Sequence, residues 1–416
     1  MKTTKPIQRA SIQAGFSLIE MMVALLFISI LMAGMLRVYA TTIASFASNQ
    51  DALNTNREKR WAITRIQDDI QMGGYFFPLR TLPGYVSVNT ATGQNALMIL
   101  PDQTITVSAY DTATSTSTNE TIRFDEVQFV SDTPIQVQAQ LSAATTLPGS
   151  CSLTVLSGTL ADVKVGDFMI VMDSGYESVK VLSISGTTVT LDTSATVEQD
   201  QSTGAATGVN AGFHNLTHQI GADVVFVRPL QVFRYTVLPM ALDPANASAT
   251  IPCLVRDQAN YPSTGSRITW PVATANAAAL TLAGVTRTVV AEGVAGQPTS
   301  VVSAPFPVTN YALRFDVSVD NGTTWERTGS GTSPVDWPAI ATNLDTRLAS
   351  VGIVPYKSVT SPTNPIWYRY IPVLFRFDLT ARSSVQRQGI NDTNSRSYRY
   401  RSQSLMISPR NFSLAN

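Results

Sequence analysis

The sequence predicts an α+β protein: a long N-terminal helix, transmembrane at its start and amphipathic further on, packed on a large antiparallel β-rich head. Three observations support this fold class. Residues 16–36 are apolar except for Glu20. No proline occurs between positions 6 and 78, so the helix can continue to the stop signal at residues 73–74, which are both glycine. Beyond these glycines Thr, Ser, Val, Gly and Pro dominate, and short alternating runs replace the helical period.

The composition excludes several classes of protein. The chain has 416 residues, and its 29 Lys and Arg balance its 29 Asp and Glu, so bulk charge selects no partner. Two His and two Cys exclude a disulfide-dense scaffold and a dense His/Cys metal cluster. The sequence contains no Gly-x-Ser-x-Gly motif, phosphate-binding glycine loop or dinucleotide fingerprint. We therefore expect a protein that is not an enzyme and that needs no cofactor or metal.

The start of the helix is predicted to span a membrane. Residues 16–36 would form about 31 Å of helix, enough to cross a hydrocarbon core of about 30 Å. The preceding segment carries Lys2, Lys5 and Arg9 and no acid, so the positive-inside rule keeps it in the cytoplasm and places the head in the periplasm. The simpler alternative is an ordinary signal peptide. The apolar run is too long for one, and no clear Ala-x-Ala site follows it.

Glu20 is the unusual residue of this span. A lone charge inside a membrane costs on the order of 3 kcal/mol on insertion scales, so it marks a functional site by default. No partner for it is obvious within the chain. The natural solution is a positive group supplied by another molecule.

The segment Gly15-Phe16-Ser17-Leu18-Ile19-Glu20, with the apolar run after it, resembles the class III signal of type IV prepilins and type II secretion pseudopilins. The resemblance implies that prepilin peptidase removes the leader, residues 1–15, by cutting between Gly15 and Phe16, and that it N-methylates Phe16. It also implies that Glu20 meets the Phe16 amine of a neighbouring subunit during assembly. Residues 16–74 would then be the pilin helix and residues 75–416 the head.

Shorter motifs in the head are similar to those of PilW-type minor pilins. They occur at residues 166–171, 234–237, 253–256, 290–294 and 398–411. This resemblance implies a pilin-like fold and a role in initiating and assembling a type IV pilus, at or near the fibre tip. The implied partners are other minor pilins, the major pilin and the inner-membrane assembly platform, and the pilus would serve motility, adhesion or DNA uptake. Two alternatives stay open: a J-type pseudopilin of type II secretion, a class with smaller heads, and a pilus-tip adhesin or DNA-binding subunit.

The second half of the helix is predicted to lie against the head through an apolar stripe. Its members recur at roughly helical spacing: Ile43, Phe46, Leu53, Ile63, Ile66 and Ile70. The charged residues of this half are assigned to the remaining surface: Arg57, Glu58, Lys59, Arg65, Asp68 and Asp69.

Alternating runs predict the strands of the head. They cover residues 163–172, 178–184, 187–191, 224–227, 231–238, 311–319, 371–380 and 404–408. A turn at Ser185-Gly186 predicts a hairpin, Asn321-Gly322 predicts another, and residues 343–350 could form a short helix. Polar tracts at 109–120, 192–210 and 241–280 are predicted to be surface loops. The head is either one large domain or two subdomains that divide near residues 240–290.

The two thiols leave two interpretations open. Cys151 and Cys253 both lie in the predicted periplasmic part, where they could form a disulfide. It would close a loop of about 100 residues and contribute about 4 kcal/mol in the chain-entropy model. Two buried free thiols are the alternative.

Three further patterns admit a chemical and a structural interpretation. His214 and His218 have metal-ligand spacing, but no zincin glutamate accompanies them, and loop or core histidines are favoured. Asp320-Asn321-Gly322 lacks the further oxygen ligands of a calcium loop and predicts a tight turn. Eight Arg within 365–410, interleaved with Trp367, Tyr368, Tyr370, Tyr398 and Tyr400, could bind nucleic acid, although terminal strands with packed aromatics are the favoured interpretation.

Overall fold

The structure, a computed structural model, describes most of the predicted helix and much of the head. The described residues are 17–72, 97–111, 116–147, 149–172, 176–191, 197–199, 206–209, 217–241, 250–262, 268–270, 281–282, 284–297, 310–318, 322, 325, 374–382, 387–388, 396–397 and 400–407. The chain forms two compact units, Met1–Asn54 and Thr55–Asn416.

Helix α1 (Leu18–Met72) is the N-terminal element. It is uninterrupted because no proline occurs within it, and it ends immediately before the two glycines of the predicted stop signal. The sequence predicted a helix over residues 16–72, so the long helix of the predicted fold class is confirmed.

The head is built from antiparallel strands. They are β1 (Leu97–Asp111), β2 (Thr116–Leu141), β3 (Thr145–Thr146), β4 (Ser150–Ser157), β5 (Phe168–Met172), β6 (Tyr176–Ser185), β7 (Thr188–Leu191), β8 (Val197–Gln199), β9 (Ala206–Val209), β10 (Thr217–His218), β11 (Asp223–Met240), β12 (Ile251–Asn260), β13 (Thr281–Leu282), β14 (Val285–Ala291), β15 (Leu313–Ser318), β16 (Leu374–Arg382), β17 (Arg387–Gln388), β18 (Arg396–Ser397) and β19 (Tyr400–Ile407). A 3₁₀ turn, Leu160–Asp162, lies between β4 and β5. The predicted α+β fold, a long helix with a large antiparallel body, is confirmed.

One sheet, here called the base sheet, supports the helix. It has the order β1-β2-β11-β12-β14-β13, formed by residues 116–130 of β2 and residues 231–240 of β11. A smaller sheet has the order β15-β16-β19. Ala62, Ile63, Ile66 and Ile70 of α1 share one core cluster with residues of both sheets. The C-terminal turns of the helix therefore complete the main hydrophobic core of the head.

The remaining halves of β2 and β11 enter a second structure. Residues 138–141 of β2 pair with β4, and the ring continues through β7, β6 and β5 to residues 223–227 of β11, which pair back to β2. These six antiparallel strands form a closed barrel. Its interior is filled by a separate cluster that includes Val137, Leu153, Met169, Val181 and Phe226.

A glycine fixes the geometry where β5 begins. Gly166 has φ 97°, its N–H donates to the Val181 carbonyl at 2.9 Å, and the Val181 N–H donates to the Asp167 carbonyl at 2.7 Å. Gly166 and Asp167 therefore lie opposite the single residue Val181. This is a β-bulge in which the glycine takes the left-handed conformation. The Asp167 carboxylate accepts from Arg228 Nε at 2.9 Å and Nη2 at 2.8 Å, which ties β5 to β11.

Two of the predicted loop tracts are wrong in large part. Residues 109–111 and 116–120 are strand residues that pair β1 with β2, and residues 251–260 form β12, which pairs with both β11 and β14. Strand β12 and most of β14 (Val285–Ala291) lie within residues 240–290, and both belong to the base sheet. Composition alone predicts loops for these Thr- and Ser-rich segments. Such residues nevertheless fit a pleated sheet surface when cross-strand neighbours are present.

Other strand predictions differ only in detail. Strand β11 is continuous, with a bulge between Pro229 and Gln231 where two strands were expected. The β6–β7 hairpin at Gly186 is confirmed. In the tract 192–210, the short strands β8 and β9 pair with each other. The helix expected at residues 343–350 lies outside the described residues.

Candidate functional site

The helix start carries a reciprocal capping arrangement. The backbone N–H of Ser17 donates to Glu20 Oε2 at 3.0 Å, and the N–H of Ile19 donates to Ser17 Oγ at 3.2 Å. This is the capping box of a Ser-x-x-Glu sequence, in which two otherwise unsatisfied amides of the first turn find acceptors. The Glu20 carboxylate is thereby directed back towards residue 17, one position after Phe16. Gly15 and Phe16, the predicted cleavage and methylation residues, lie outside the described residues.

Sequence reasoning had found no partner for Glu20 within the chain. The structure supplies a local one, the Ser17 amide. The signal that could have found it is the Ser-x-x-Glu spacing before an apolar run. A hydrogen-bonded carboxylate near the positive end of a helix dipole costs less to bury than an isolated one.

The apolar part of α1 is solvent-exposed along the first unit. Its most hydrophobic 18-residue window has a mean hydropathy of 2.3 and is 0% buried. Typical side chains are Leu25 (63% exposed) and Leu31 (64% exposed). By length and composition the helix can cross a membrane. A core helix of a soluble protein would be mostly buried, and this one is not.

The hydroxyls of Ser29, Thr41 and Thr42 form hydrogen bonds inside the helix. Ser29 Oγ donates to the Leu25 carbonyl at 2.5 Å, and Thr41 Oγ1 donates to the Arg37 carbonyl at 2.8 Å. Such back-bonding to the preceding turn leaves no bare hydroxyl to desolvate. These residues therefore do not oppose an apolar environment.

The comparison with known families finds a match on this segment. The model of the prokaryotic N-terminal methylation motif matches residues 11–36. The chain carries a type IV pilin-like prepilin signal. The match supports a precursor of the pilin or pseudopilin type. Such a signal implies processing by prepilin peptidase and assembly with other pilins generally, and it is consistent with anchoring in the inner membrane. No curated protein matches the chain.

The last turns of α1 carry a buried ionic contact with the base sheet. Asp69 is 2% exposed, and its Oδ2 accepts from Tyr235 OH at 2.6 Å and from Arg256 Nε at 2.5 Å. The Arg256 guanidinium also lies 4.1 Å from the centre of the Phe233 ring. Burial, and then the neighbouring carboxylate, raise the pKa of Tyr235 far above its usual range, so its hydroxyl stays protonated and donates.

Sequence reasoning placed Asp69 and Lys59 on the solvent side of the helix, and this is wrong. Lys59 is only 3% exposed, and its Nζ lies 3.4 Å from the Arg401 carbonyl that accepts from it. Positions 59, 62, 66 and 69 recur at helical spacing, so the two charges occupy the packing stripe itself. That spacing could have placed both residues on the packing face. It was not used because charged side chains are expected at the surface.

The predicted stripe is also wrong at its N-terminal end. Ile43, Phe46 and Leu53 are 50%, 69% and 64% exposed. Ile63, Ile66 and Ile70 are buried as expected.

The two cysteines are free and buried, so the disulfide alternative is not formed in the structure. Cys151 lies in the barrel interior, and Cys253 lies in a cluster with Leu238 and Met240. Burial raises the pKa of Cys151 to about 11 and that of Cys253 to about 12. Thiols with such pKa values are poor nucleophiles at neutral pH.

Two arginines of the C-terminal strands, Arg376 and Arg382, form ion pairs within the head. Arg376 Nη2 lies 2.6 Å from Asp316 Oδ2, and Arg382, which is 5% exposed, pairs with Glu120. These two cations are therefore engaged in ion pairs between strands and are not free to contact a phosphate backbone.

The remaining candidate ligand residues are found in strands or turns. His218 is buried in β10, whereas His214 lies outside the described residues. Gly322 has φ 82° and its N–H donates to Ser318 Oγ at 2.8 Å, whereas Asp320 and Asn321 of the predicted turn lie outside the described residues. Within the part of the chain that the structure describes, no group of three or more His, Cys, Asp or Glu side chains is arranged to hold a metal ion.

Proposed function

We propose that this chain is a PilW-type minor pilin, a structural subunit and not an enzyme, which helps to initiate and assemble a type IV pilus. The observation that carries the proposal is the methylation motif at residues 11–36, continuous with a capped and exposed apolar helix. An apolar helix of this kind has to be covered by lipid or by other helices.

The proposed sequence of events begins in the inner membrane. The basic segment stays in the cytoplasm, residues 16–36 span the bilayer and the head lies in the periplasm. Prepilin peptidase cuts after Gly15 and methylates the new Phe16 amine. The helix then leaves the lipid for the fibre core, where Glu20 meets the Phe16 amine of a neighbouring subunit and the charge pair sets the register of packing.

The size of the head supports a minor pilin over a J-type pseudopilin. The second unit runs from Thr55 to Asn416 and contains both the base sheet and the barrel. A head of this bulk is best accommodated at or near the fibre tip, where it does not obstruct the stacking of other subunits. Motility, adhesion or DNA uptake would be properties of the assembled fibre.

Determination of the mature N-terminus tests the proposal directly. We expect the protein purified from surface fibres to begin with N-methylated Phe16. In a Gly15→Val variant the peptidase site is blocked, so the precursor should keep Met1 and should be absent from fibres. Asp68→Ala is the control, since Asp68 is an exposed residue of the same helix that lies outside residues 16–36. Fibres that contain the protein with Met1 still attached would refute the assignment.

A further inference from the structure

The head contains two hydrophobic cores that share no residue among those described. The barrel cluster takes all its buried members from between Val137 and Phe226. The cluster beneath α1 takes none of its members from residues 131–232. The barrel therefore has an interior of its own, which is a property of an independent folding unit.

The two ends of the barrel segment meet within the base sheet. Ser131 of β2 and Gln231 of β11 are directly opposed in the antiparallel ladder. Directly opposed residues have Cβ atoms about 5 Å apart, a separation that a two-residue hairpin turn bridges. A two-residue turn could therefore connect Ser131 to Gln231 in place of residues 132–230. A long segment between two adjacent positions of a ladder has the geometry of an insertion.

The seam between the two structures is small. It consists of the cluster of Val130, Phe168 and Val232, with Tyr261, Ile268 and Trp270 packed against it. The Tyr261 N–H also donates to the Leu230 carbonyl at 3.0 Å. The fork between Asp167 and Arg228 joins two residues that both belong to the inserted segment. The removal of residues 132–230 would therefore take away both partners of this ion pair. Among the described residues of the seam, it would leave no charge of the base sheet without its partner.

We infer that the barrel, residues 132–230, is an inserted second module that takes no part in processing or fibre assembly. Those steps belong to α1 and the base sheet, and the fibre carries the barrel as an accessory module. The inference rests on the proposed function, because it divides that function between two parts of the head.

The first experiment replaces residues 132–230 with Asn-Gly in the full-length gene. We expect the shortened chain to be cleaved at Gly15 and to enter fibres within about two-fold of the wild-type amount, the range of a neutral change. A shortened chain that is cleaved but absent from fibres, or that does not fold, would overturn the inference. If the wild-type chain itself is not cleaved or does not enter fibres, the proposed function fails instead.

The second experiment keeps the full chain and strains one module at a time. A Cβ on Gly158, in the barrel, would lie 2.3 Å from the Gln136 carbonyl oxygen. A Cβ on Gly296, beside the base sheet, would lie 2.2 Å from the carbonyl of Asn310. Gly158→Val and Gly296→Val are therefore matched variants that force a shift in one module each.

The buried thiols report on the two modules separately. Cys151 lies in the barrel and Cys253 in the base sheet, so each single-cysteine chain is labelled with a maleimide pulse at increasing urea concentrations. Gly158→Val should lower the midpoint of Cys151 labelling by about 1 M, leave that of Cys253 unchanged and leave fibre incorporation intact. Gly296→Val should lower the midpoint of Cys253 and reduce incorporation. If either variant moves both midpoints together, the head is one cooperative unit and the inference is wrong.

Discussion

The two stretches of α1 reverse the usual relation between composition and burial. In the first, Leu18–Asn54, apolar side chains such as Leu31 are more than half exposed. In the second, which starts at Thr55, Asp69 and Lys59 are almost completely buried. A side chain is buried where a partner covers it, and the second stretch has its partners within the head. The first stretch, on the proposed function, receives its cover from lipid and then from other subunits.

The largest loss of stability is expected from removal of the buried Asp69 carboxylate in the second stretch. Asp69→Ala would leave Arg256 buried without its carboxylate, and breaking a buried pair on one side costs about 4 kcal/mol. Urea unfolding of the full chain in detergent, followed by Cys253 labelling, measures the loss. Asp68→Ala is the control, since Asp68 is exposed and its replacement should stay within about 0.5 kcal/mol. Equal effects of the two variants would show that Asp69 does not fix the helix to the sheet.

An apolar substitution tests the same contrast without charge. Ile66 is 0% exposed in the main core, and Ile66→Ala should lower the free energy of unfolding of the head by about 3 kcal/mol, through lost transfer energy and a cavity. Ile43→Ala removes the same atoms from the first stretch, where the side chain is half exposed. The unfolding midpoint of the head should not respond to it. A response as large as that of Ile66→Ala would contradict the division of the helix.

A smaller loss is expected from a single hydroxyl. Tyr235→Phe removes the donor at 2.6 Å from Asp69 Oδ2 but keeps the ring and the Arg256 contact. A hydrogen bond to a charged group contributes about 2 kcal/mol, so the variant should lie between the wild type and Asp69→Ala. In the double variant the two losses should not add, because both act on one network. Additive losses would show that Tyr235 and Asp69 act independently.

The helix could be predicted from the sequence nearly to the residue because its determinants are local. The missing prolines, the stop signal after Met72 and the apolar run after Glu20 all act within a few turns. The charged residues on the packing stripe could not be predicted, since their burial depends on Tyr235 and Arg256, which are distant in sequence. Local periodicity identifies the face of a helix that packs. It does not identify the distant residues that pair with a charged side chain on that face.

The barrel was not predicted, although several of its strands were. Closure requires residues 223–227 of β11 to pair with both β2 and β5, and such pairings between distant segments leave no local trace in the sequence. Gly166 was noticed as part of a family motif, but its role in the bulge that starts β5 became clear only from the pairing with Val181. The capping box at Ser17, by contrast, has a local signature and could have been found in advance.

The Glu20→Gln variant distinguishes the two partners proposed for this side chain, the Ser17 amide and the Phe16 amine of a neighbouring subunit. The substitution should leave the free energy of unfolding of the head unchanged within about 0.5 kcal/mol. Glutamine still accepts from the Ser17 amide, as in other capping boxes, but it cannot form an ion pair with the Phe16 amine of a neighbour. If the trans pair drives assembly, Glu20→Gln should be processed normally and be as depleted from fibres as Glu20→Ala. If the local cap is what matters, the glutamine variant should assemble and the alanine variant should not. Immunoblots of sheared fibres against whole-cell protein give both ratios, with Asp68→Ala, at an exposed position outside residues 16–36, as the neutral control in the same helix.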